Sequence, residues 1–274
     1  MEPHVKHEEY FWVIGGGMLQ VPLIAEVRKA GYQVIVSDRD ETCVCRELAD
    51  VFFQNDIFDV IGHVTGANAF RAQGGRISGV LAAGIDAPET MAAVAEDLGL
   101  PSVKRSIAHL VNNKDQFRRA LRRLGYPVPK FEVIGKAQLS NLEDVVARVG
   151  LPLIVKNTDS SGSRGTRILH VRDLPGIHSA ALAAMAVSRS KQALIEEYWE
   201  GPEQTVETIF DCEGRFHPCF ITDRVFDKRQ GYAIETGLRH PSALPEPIQK
   251  EMFELAEKVA RDLGFTIGAA KYDM

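Results

Sequence analysis

The chain has 274 residues, enough for about two domains, and with 45% hydrophobic and 25% charged residues it has the proportions of a globular protein with a real core. Its formal net charge of −5 and pI near 5.9 argue against an extended basic face for nucleic acid or anionic membrane. The opening MEPHVKHEEYF carries no apolar signal core and no apolar run is long enough to cross a bilayer, while four cysteines are too few for a disulfide scaffold, so a cytoplasmic, reducing setting is expected.

Residues 10 to about 105 alternate between strand and helix patterns. YFWVIGGG reads as a strand meeting a glycine turn, MLQVPLIAEVRKAG as a helix stopping at Gly31, and YQVIVSDRD as a strand ending on Asp38. ELADVFFQ is a short strand, a helix can follow Asp56, and ISGVLAAGID is a further strand. APETMAAVAEDLGL is a helix with Pro88 in its first turn, Glu89 at its positive end and Gly99 as its stop. Strands separated by helices predict a parallel, doubly wound sheet. Gly15-Gly16-Gly17 with Asp38 downstream sets one alternative, an oxidoreductase binding NAD(P). The dinucleotide fingerprint needs a small residue where Gln20 stands, and Met18 and Leu19 crowd the turn. A tight turn lining a substrate cleft is the plainer reading.

From Leu100 the composition shifts. Pro101-Ser102, Asn113-Lys114, a basic helix from Gln116 to Leu124 and Gly125-Tyr126-Pro127-Val128-Pro129 follow in order, with Asn112 or Asn113 as the helix cap. QLSNLEDVVARVG is an amphipathic helix capped by Ser140 or Asn141, with Val145, Val146 and Val149 as its buried stripe. LPLIVK is a strand ending on Lys156, and a lysine on an apolar strand is costly unless an anion meets it. The loop Ser160 to Thr166 then offers Gly162 and Gly165 for backbone approach to phosphate, Ser161 and Ser163 as polar partners and Arg164 as an added charge. Its small residues suit a lid. The alanine-rich stretch Ile177 to Ser190 reads as a helix serving core packing.

Ala193 to Glu197 is a strand running into Tyr198 and Trp199, then a Gly201-Pro202 turn, Glu203 and Glu207. Main-chain groups beside an aromatic pair can read an adenine edge, and acids beyond the turn can hold ribose hydroxyls or a cation. A hairpin turns at Glu213-Gly214; the spacing of Cys212, His217 and Cys219 fits no usual zinc pattern. The last helix should bury Met252, Phe253, Leu255, Ala256, Val259 and Leu263 and stop at Gly264, before a final strand, FTIGAAKYDM.

Val155-Lys156, the Ser160–Thr166 loop, Glu196-Glu197-Tyr198-Trp199, Gly201-Pro202-Glu203 and Val206-Glu207, in this order, resemble the ATP-grasp superfamily, in its carbamoyl-phosphate-synthase large-subunit, biotin-carboxylase-like or carboxylate–amine ligase branch. The resemblance implies an α/β chain: a Rossmann-like parallel sheet over 1–105, a first ATP-grasp subdomain over 106–195 with its linker helix and phosphate loop, and an incomplete α+β second subdomain over 196–274. It implies ATP and Mg2+ as cofactors and a small carboxylate substrate, and it accommodates a homodimer. Lys114 and Lys156 would neutralise phosphates and Ser161, Gly162, Ser163 and Gly165 would cover them. Glu196, Glu197, Tyr198 and Trp199 would place adenine and Glu203 the ribose. Asp273 with Glu207 would bind magnesium. Lys156 and Arg239 are the catalytic candidates, Arg239 as a fork for a substrate carboxylate within Gly237 to Ser242. In the family a further strand follows with a second Glu and an Asn, so a fragment of a longer ligase is expected, with a nucleotide-binding module lacking turnover as the other alternative.

Overall fold

The computed structural model describes residues 9–227, 231–232 and 234–274, so most of the opening stretch read for a signal core, residues 1–8, lies outside the described residues. The chain divides into two compact units, Met1–His109 and Leu110–Met274. No helix among the described residues is long and apolar enough to cross a membrane.

The first unit is a four-stranded parallel sheet in the order β3-β2-β1-β4, with β1 at Glu9–Ile14, β2 at Gln33–Asp38, β3 at Val51–Gln54 and β4 at Arg76–Leu81. Helix α1 (Val21–Lys29) joins β1 to β2, α2 (Val60–Ala72) joins β3 to β4, and α3 (Pro88–Leu98) follows β4. Alternation along the strands sorts the core onto two faces. Trp12, Ile14 and Ile35 pack with Ala67 of α2 and Val94 of α3, while Val13, Val34 and Val36 pack with Ile24 and Val27 of α1. This is the doubly wound arrangement expected from the strand–helix alternation. Gly99 ends α3 in the left-handed region at φ 69°, as its stop signal required. Only the end of ELADVFFQ is strand; Glu47 and Leu48 belong to a short 3-10 turn, Val44–Leu48.

The glycine turn after β1 is closed by internal bonds. Gly15 N–H donates to Ser37 O at 2.8 Å, Gly16 N–H to the Asp38 carboxylate at 2.8 Å, and Gly17 N–H to Gln20 Oε1 at 3.0 Å. Gln20, buried, donates onward to Ala83 O. A Cβ on Gly16 would collide with the Cys43 thiol. The amides a pyrophosphate would need are thus spent on the turn, and Asp38 on Gly16 and Asp40, which sets aside the dinucleotide alternative.

Beneath this sheet His63 is fully buried. Its Nδ1 donates to Asp59 O at 2.8 Å and its Nε2 faces Ser37 Oγ at 2.8 Å, where Trp12 Nε1 also donates at 2.9 Å. Burial holds the ring below its ordinary value. The unfolded chain therefore takes up a proton near pH 6.5 that the folded state resists, so stability is complete above that pH and falls below it. Stability read from denaturant midpoints should drop between pH 7.5 and 5.5, and His63→Gln should flatten that interval.

The second unit holds two antiparallel sheets. The first, ordered β5-β8-β6-β7, comprises Phe131–Ile134, Ala193–Glu197, Leu153–Asn157 and Arg167–Leu169. One face, with Leu153, Val155, Ala193 and Ile195, packs on α6 (Leu142–Val149) and α7 (Leu174–Val187). The second, ordered β11-β10-β9-β12, comprises Ile234–Arg239, Phe216–Asp227, Gln204–Phe210 and Gly268–Asp273, with Val206, Ile221 and Tyr272 packed on α8 (Glu246–Leu263). Preceding these, α4 covers Arg105–Asn112 and α5 Lys114–Arg123. The halves meet where Tyr126 donates to Asp262 of α8 at 2.6 Å and where Arg167 lies over the Tyr232 ring.

Three local expectations need correction. Asn113 and Asn141 stand at the N-caps of α5 and α6, but neither side chain bonds the helix end, and Ser140 donates to Ala137 O instead. Leu255 is exposed; α8 buries Ala256, Val259 and Ala260, because its apolar stripe is narrower than the residue types suggest. The alanine-rich helix starts earlier, at Leu174, with Asp173 capping it through Gly176 N–H at 3.0 Å, and it ends at Val187.

Candidate nucleotide site

Strand β6 delivers Lys156 to the sheet face opposite the helices. In register Lys156 pairs with Leu194 and Ile154 with Glu196, so Lys156 and Glu196 are diagonal neighbours on that face. Their side chains form an ion pair. Arg118, from α5, reaches the other carboxylate oxygen at 3.2 Å. Glu196 is 3% exposed. Burial alone would raise its carboxyl, yet the Lys156 and Arg118 charges outweigh that and hold it below the usual range. Two cations against one carboxylate leave this patch with a net positive charge.

Lys114 sits one helical turn before Arg118, on the same face of α5. Its backbone N–H donates to Thr158 O at 2.8 Å. Its ammonium donates to Asn157 Oδ1 at 3.1 Å and to Ser160 O at 2.7 Å. The fold thus brings both predicted lysines to the C-terminal end of one strand, and with them Arg118, which no sequence motif singles out.

The loop beyond β6 leaves right-handed backbone at three of four successive residues: Gly162 at φ 74°, Ser163 at 53° and Gly165 at 68°. Glycine tolerates these values; Ser163 does so at a cost that its surroundings must offset. Asn157, buried, closes the loop from beneath, accepting Ser160 N–H at 2.7 Å and donating to Arg164 O at 2.8 Å. Asp159, also buried, accepts Ser188 Oγ at 3.0 Å, Arg189 N–H at 2.9 Å and Ser190 N–H at 2.8 Å. Burial would raise its carboxyl, but these donors keep it low. Thr158 Oγ1 joins Ser188 and Ser190 at 2.8 and 2.7 Å. Both ends of the loop are therefore pinned, while Ser161 and Gly162 at its tip are exposed. The residues after α7 do more than fill a core: Ser188 and Ser190 hold the base of the loop. The Asn157-Thr158-Asp159 run, polar residues closing an apolar strand, was the available sequence signal for this.

Past β8, Glu197 exchanges bonds with the Lys130 main chain, Glu197 N–H to Lys130 O at 2.8 Å and Lys130 N–H to the carboxylate at 3.2 Å. Tyr198 N–H donates to Pro152 O at 2.9 Å, and its ring meets His170 edge-on. Trp199 is 56% exposed.

On the second sheet the face away from α8 carries Glu207 and Asp273, while Arg239, registered with Asp223 and through it with Gln204, falls on the α8 face. Asp273 registers with Thr205, and Glu207 with Lys271, so Thr205, Glu207, Lys271 and Asp273 share that face. Burial, reinforced by Asp273, pushes the Glu207 carboxyl up, with Lys271 only partly compensating. Thr222, opposite Thr205 on β10, is buried, and its hydroxyl has no partner among the described residues. Two neighbouring carboxylates, that of Glu207 raised by burial, beside an unsatisfied hydroxyl suit a hydrated hard cation, which needs only one or two protein carboxylates. Among the described residues no three His, Cys, Asp or Glu side chains gather as a closed metal cage. His217 pairs with Asp211 at 2.7 Å. Arg224, 12% exposed in its side chain, reaches Glu203 at 3.3 Å, Asp273 at 3.2 Å and Glu235 at 2.6 Å. Arg239, exposed at the end of β11, faces Asp223 across the strands.

Residues 113–272 match the family described as the carbamoyl-phosphate synthase L chain, ATP binding domain. Among curated proteins, a D-alanine--D-alanine ligase of Desulforudis audaxviator is 26% identical over 185 residues, covering 65% of this chain and 59% of that protein. The formate-dependent phosphoribosylglycinamide formyltransferase of Methanocaldococcus jannaschii is 25% identical over 97% of this chain and 65% of its own length. The chain thus spans less than two thirds of either relative. Among solved structures, an N5-carboxyaminoimidazole ribonucleotide synthetase with ADP bound superposes with a TM-score of 0.78 at 17% identity, over 97% of this chain and 66% of that one.

Proposed function

The chain belongs to the family of the carbamoyl-phosphate synthase L chain ATP binding domain, and from that premise we propose that it binds ATP with Mg2+ at the end of β6 and serves an ATP-dependent ligase that activates a small carboxylate. The convergence of Lys114, Arg118 and Lys156 beside a loop of left-handed backbone is the observation that carries this reading. A triphosphate brings several negative charges, and the strand end meets them with a net positive patch and exposed loop-tip amides. Lys156 is aimed by its bond to Glu196, and Lys114 by Asn157, so neither ammonium has to be ordered when phosphate arrives. The stretch from Glu196 to Trp199 would place the adenine through main-chain groups other than the Glu197 and Tyr198 N–H, which are bonded to Lys130 and Pro152, and Glu203 would hold the ribose. Asp273 and Glu207 would carry magnesium, which supplies charge neutralisation on the transferred phosphoryl group when bound. Arg239, at the rim of the second sheet, would take the substrate carboxylate as a fork.

The relatives support this reading: one is named a D-alanine--D-alanine ligase, and the synthetase structure is an ADP complex. The test is calorimetric titration of the chain with ATP in magnesium, followed by phosphate release over a panel of small carboxylates and amines. Micromolar ATP binding is expected. No ATP binding would sink the proposal, and binding without phosphate release under any pairing would reduce it to a nucleotide-binding module.

A further inference from the structure

Arg224 belongs to no recognisable sequence motif, yet among the described residues it is the most heavily engaged cation on the second sheet. Its Nε and Nη2 both donate to Glu235 Oε2, at 2.9 and 2.6 Å, which anchors the guanidinium to the neighbouring strand. Its plane lies over the Phe226 ring at 4.7 Å. One nitrogen, Nη1, remains to serve two carboxylates from different strands and turns: Glu203 at 3.3 Å and Asp273 at 3.2 Å. These are the two acids that the proposed function gives to the ribose and to the metal. Only Arg224 joins them among the described contacts, and it does so with its side chain 12% exposed.

We propose that Arg224 is a positioning residue that couples nucleotide and magnesium binding, by holding the Glu203 and Asp273 carboxylates at a fixed separation through one guanidinium nitrogen. The inference rests on the ATP-binding reading above. The Glu235 anchor keeps the guanidinium in place, so Asp273 Oδ2 stays bonded while its Oδ1, 3.5 Å from the Thr205 hydroxyl and 3.8 Å from Lys271, is turned toward the face that bears Glu207 and the unsatisfied Thr222 hydroxyl. Without Arg224, Asp273 is free to collapse onto Lys271 and its carboxylate is lost to the metal. Two opposing effects follow from removing the cation. The extra negative charge would draw in magnesium, but Asp273 is about half exposed and solvent screening limits this to about fivefold. Losing the orientation of a metal carboxylate costs about 10- to 100-fold in metal affinity, so disorder wins.

The experiment measures ATP affinity by calorimetry with and without magnesium in the whole chain, in Arg224→Gln and in Glu235→Gln. Magnesium should tighten ATP binding in the parent chain. In Arg224→Gln that tightening should shrink at least tenfold, and in Glu235→Gln, where the anchor is weakened, it should shrink less. A merely structural role would weaken ATP equally in both conditions and leave the ratio unchanged; that result, or unchanged affinities, overturns the inference. So does a parent chain that binds ATP indifferently to magnesium. If Arg224→Gln does not fold, Glu235→Gln decides alone by the same ratio. A parent chain with no ATP binding at all would instead defeat the proposed function, which keeps the two failures distinct.

Discussion

Lys156→Ala should lower ATP affinity by at least a hundredfold. A charge-assisted bond to phosphate is worth about 1.5–3 kcal/mol. The substitution also leaves Glu196 with Arg118 alone, so a carboxylate at the strand end now faces the incoming phosphates. Together these reach about 3–4 kcal/mol, and each 1.4 kcal/mol is tenfold. Lys156 is mostly covered by its neighbours, at 18% side-chain exposure, so water cannot screen its loss as it would a surface lysine. Breaking a buried pair is also destabilising by about 3–5 kcal/mol, and a weaker fold could imitate a weaker site. The double variant Lys156→Met with Glu196→Gln separates the two. It removes both charges, so it should recover much of the thermal stability and none of the affinity. ATP affinity within threefold of the parent in a folded Lys156→Ala chain would rule out the phosphate role of this lysine.

The second large effect lies in the partner. Glu196→Ala strands two cations, one of them nearly buried, and opens a small void in the strand face. Arg118 is a quarter exposed and can turn to solvent, so the cost should fall at the lower end of the buried-pair range, about 3 kcal/mol. For a unit of this size that lowers Tm by about 10 °C. The pH dependence has a definite sign. The folded carboxyl lies below its ordinary value of 4.5, so its contribution is complete above that pH and is lost as the pH falls through the folded value. The parent chain should lose stability steeply below pH 4.5 in differential scanning calorimetry, and Glu196→Gln should lose less over the same interval. A variant melting within 2 °C of the parent at pH 7, with the same acid slope, would show that the triad holds nothing together.

Local sequence alone carried the doubly wound first unit, the two lysines, the glycine-bearing loop after β6 and the turn-and-acid run after β8. Each of these is written in neighbouring residues: period-two and period-3.6 apolar patterns, a lysine inside an apolar strand, glycines where backbone must turn left-handed. The side-chain partnerships were not written there. Arg118 lies 78 residues from Glu196, and in a basic helix its residue type says nothing about which carboxylate it meets. Arg224 gathers Glu203, Glu235 and Asp273 only because β9, β10, β11 and β12 pair in a particular register, and one residue of slip would send those side chains to the face against α8. Likewise Asp159 is an ordinary loop acid until α7 ends where Ser188 and Ser190 can bind it. Helix caps failed for the same reason, since Asn113 and Asn141 had the preferred type and the chain's path gave their side chains no helix end to bond. Pattern and spacing decide which elements form, because those forces act within a few residues. Which charges face one another depends on strand order and register, and that only the packed chain decides.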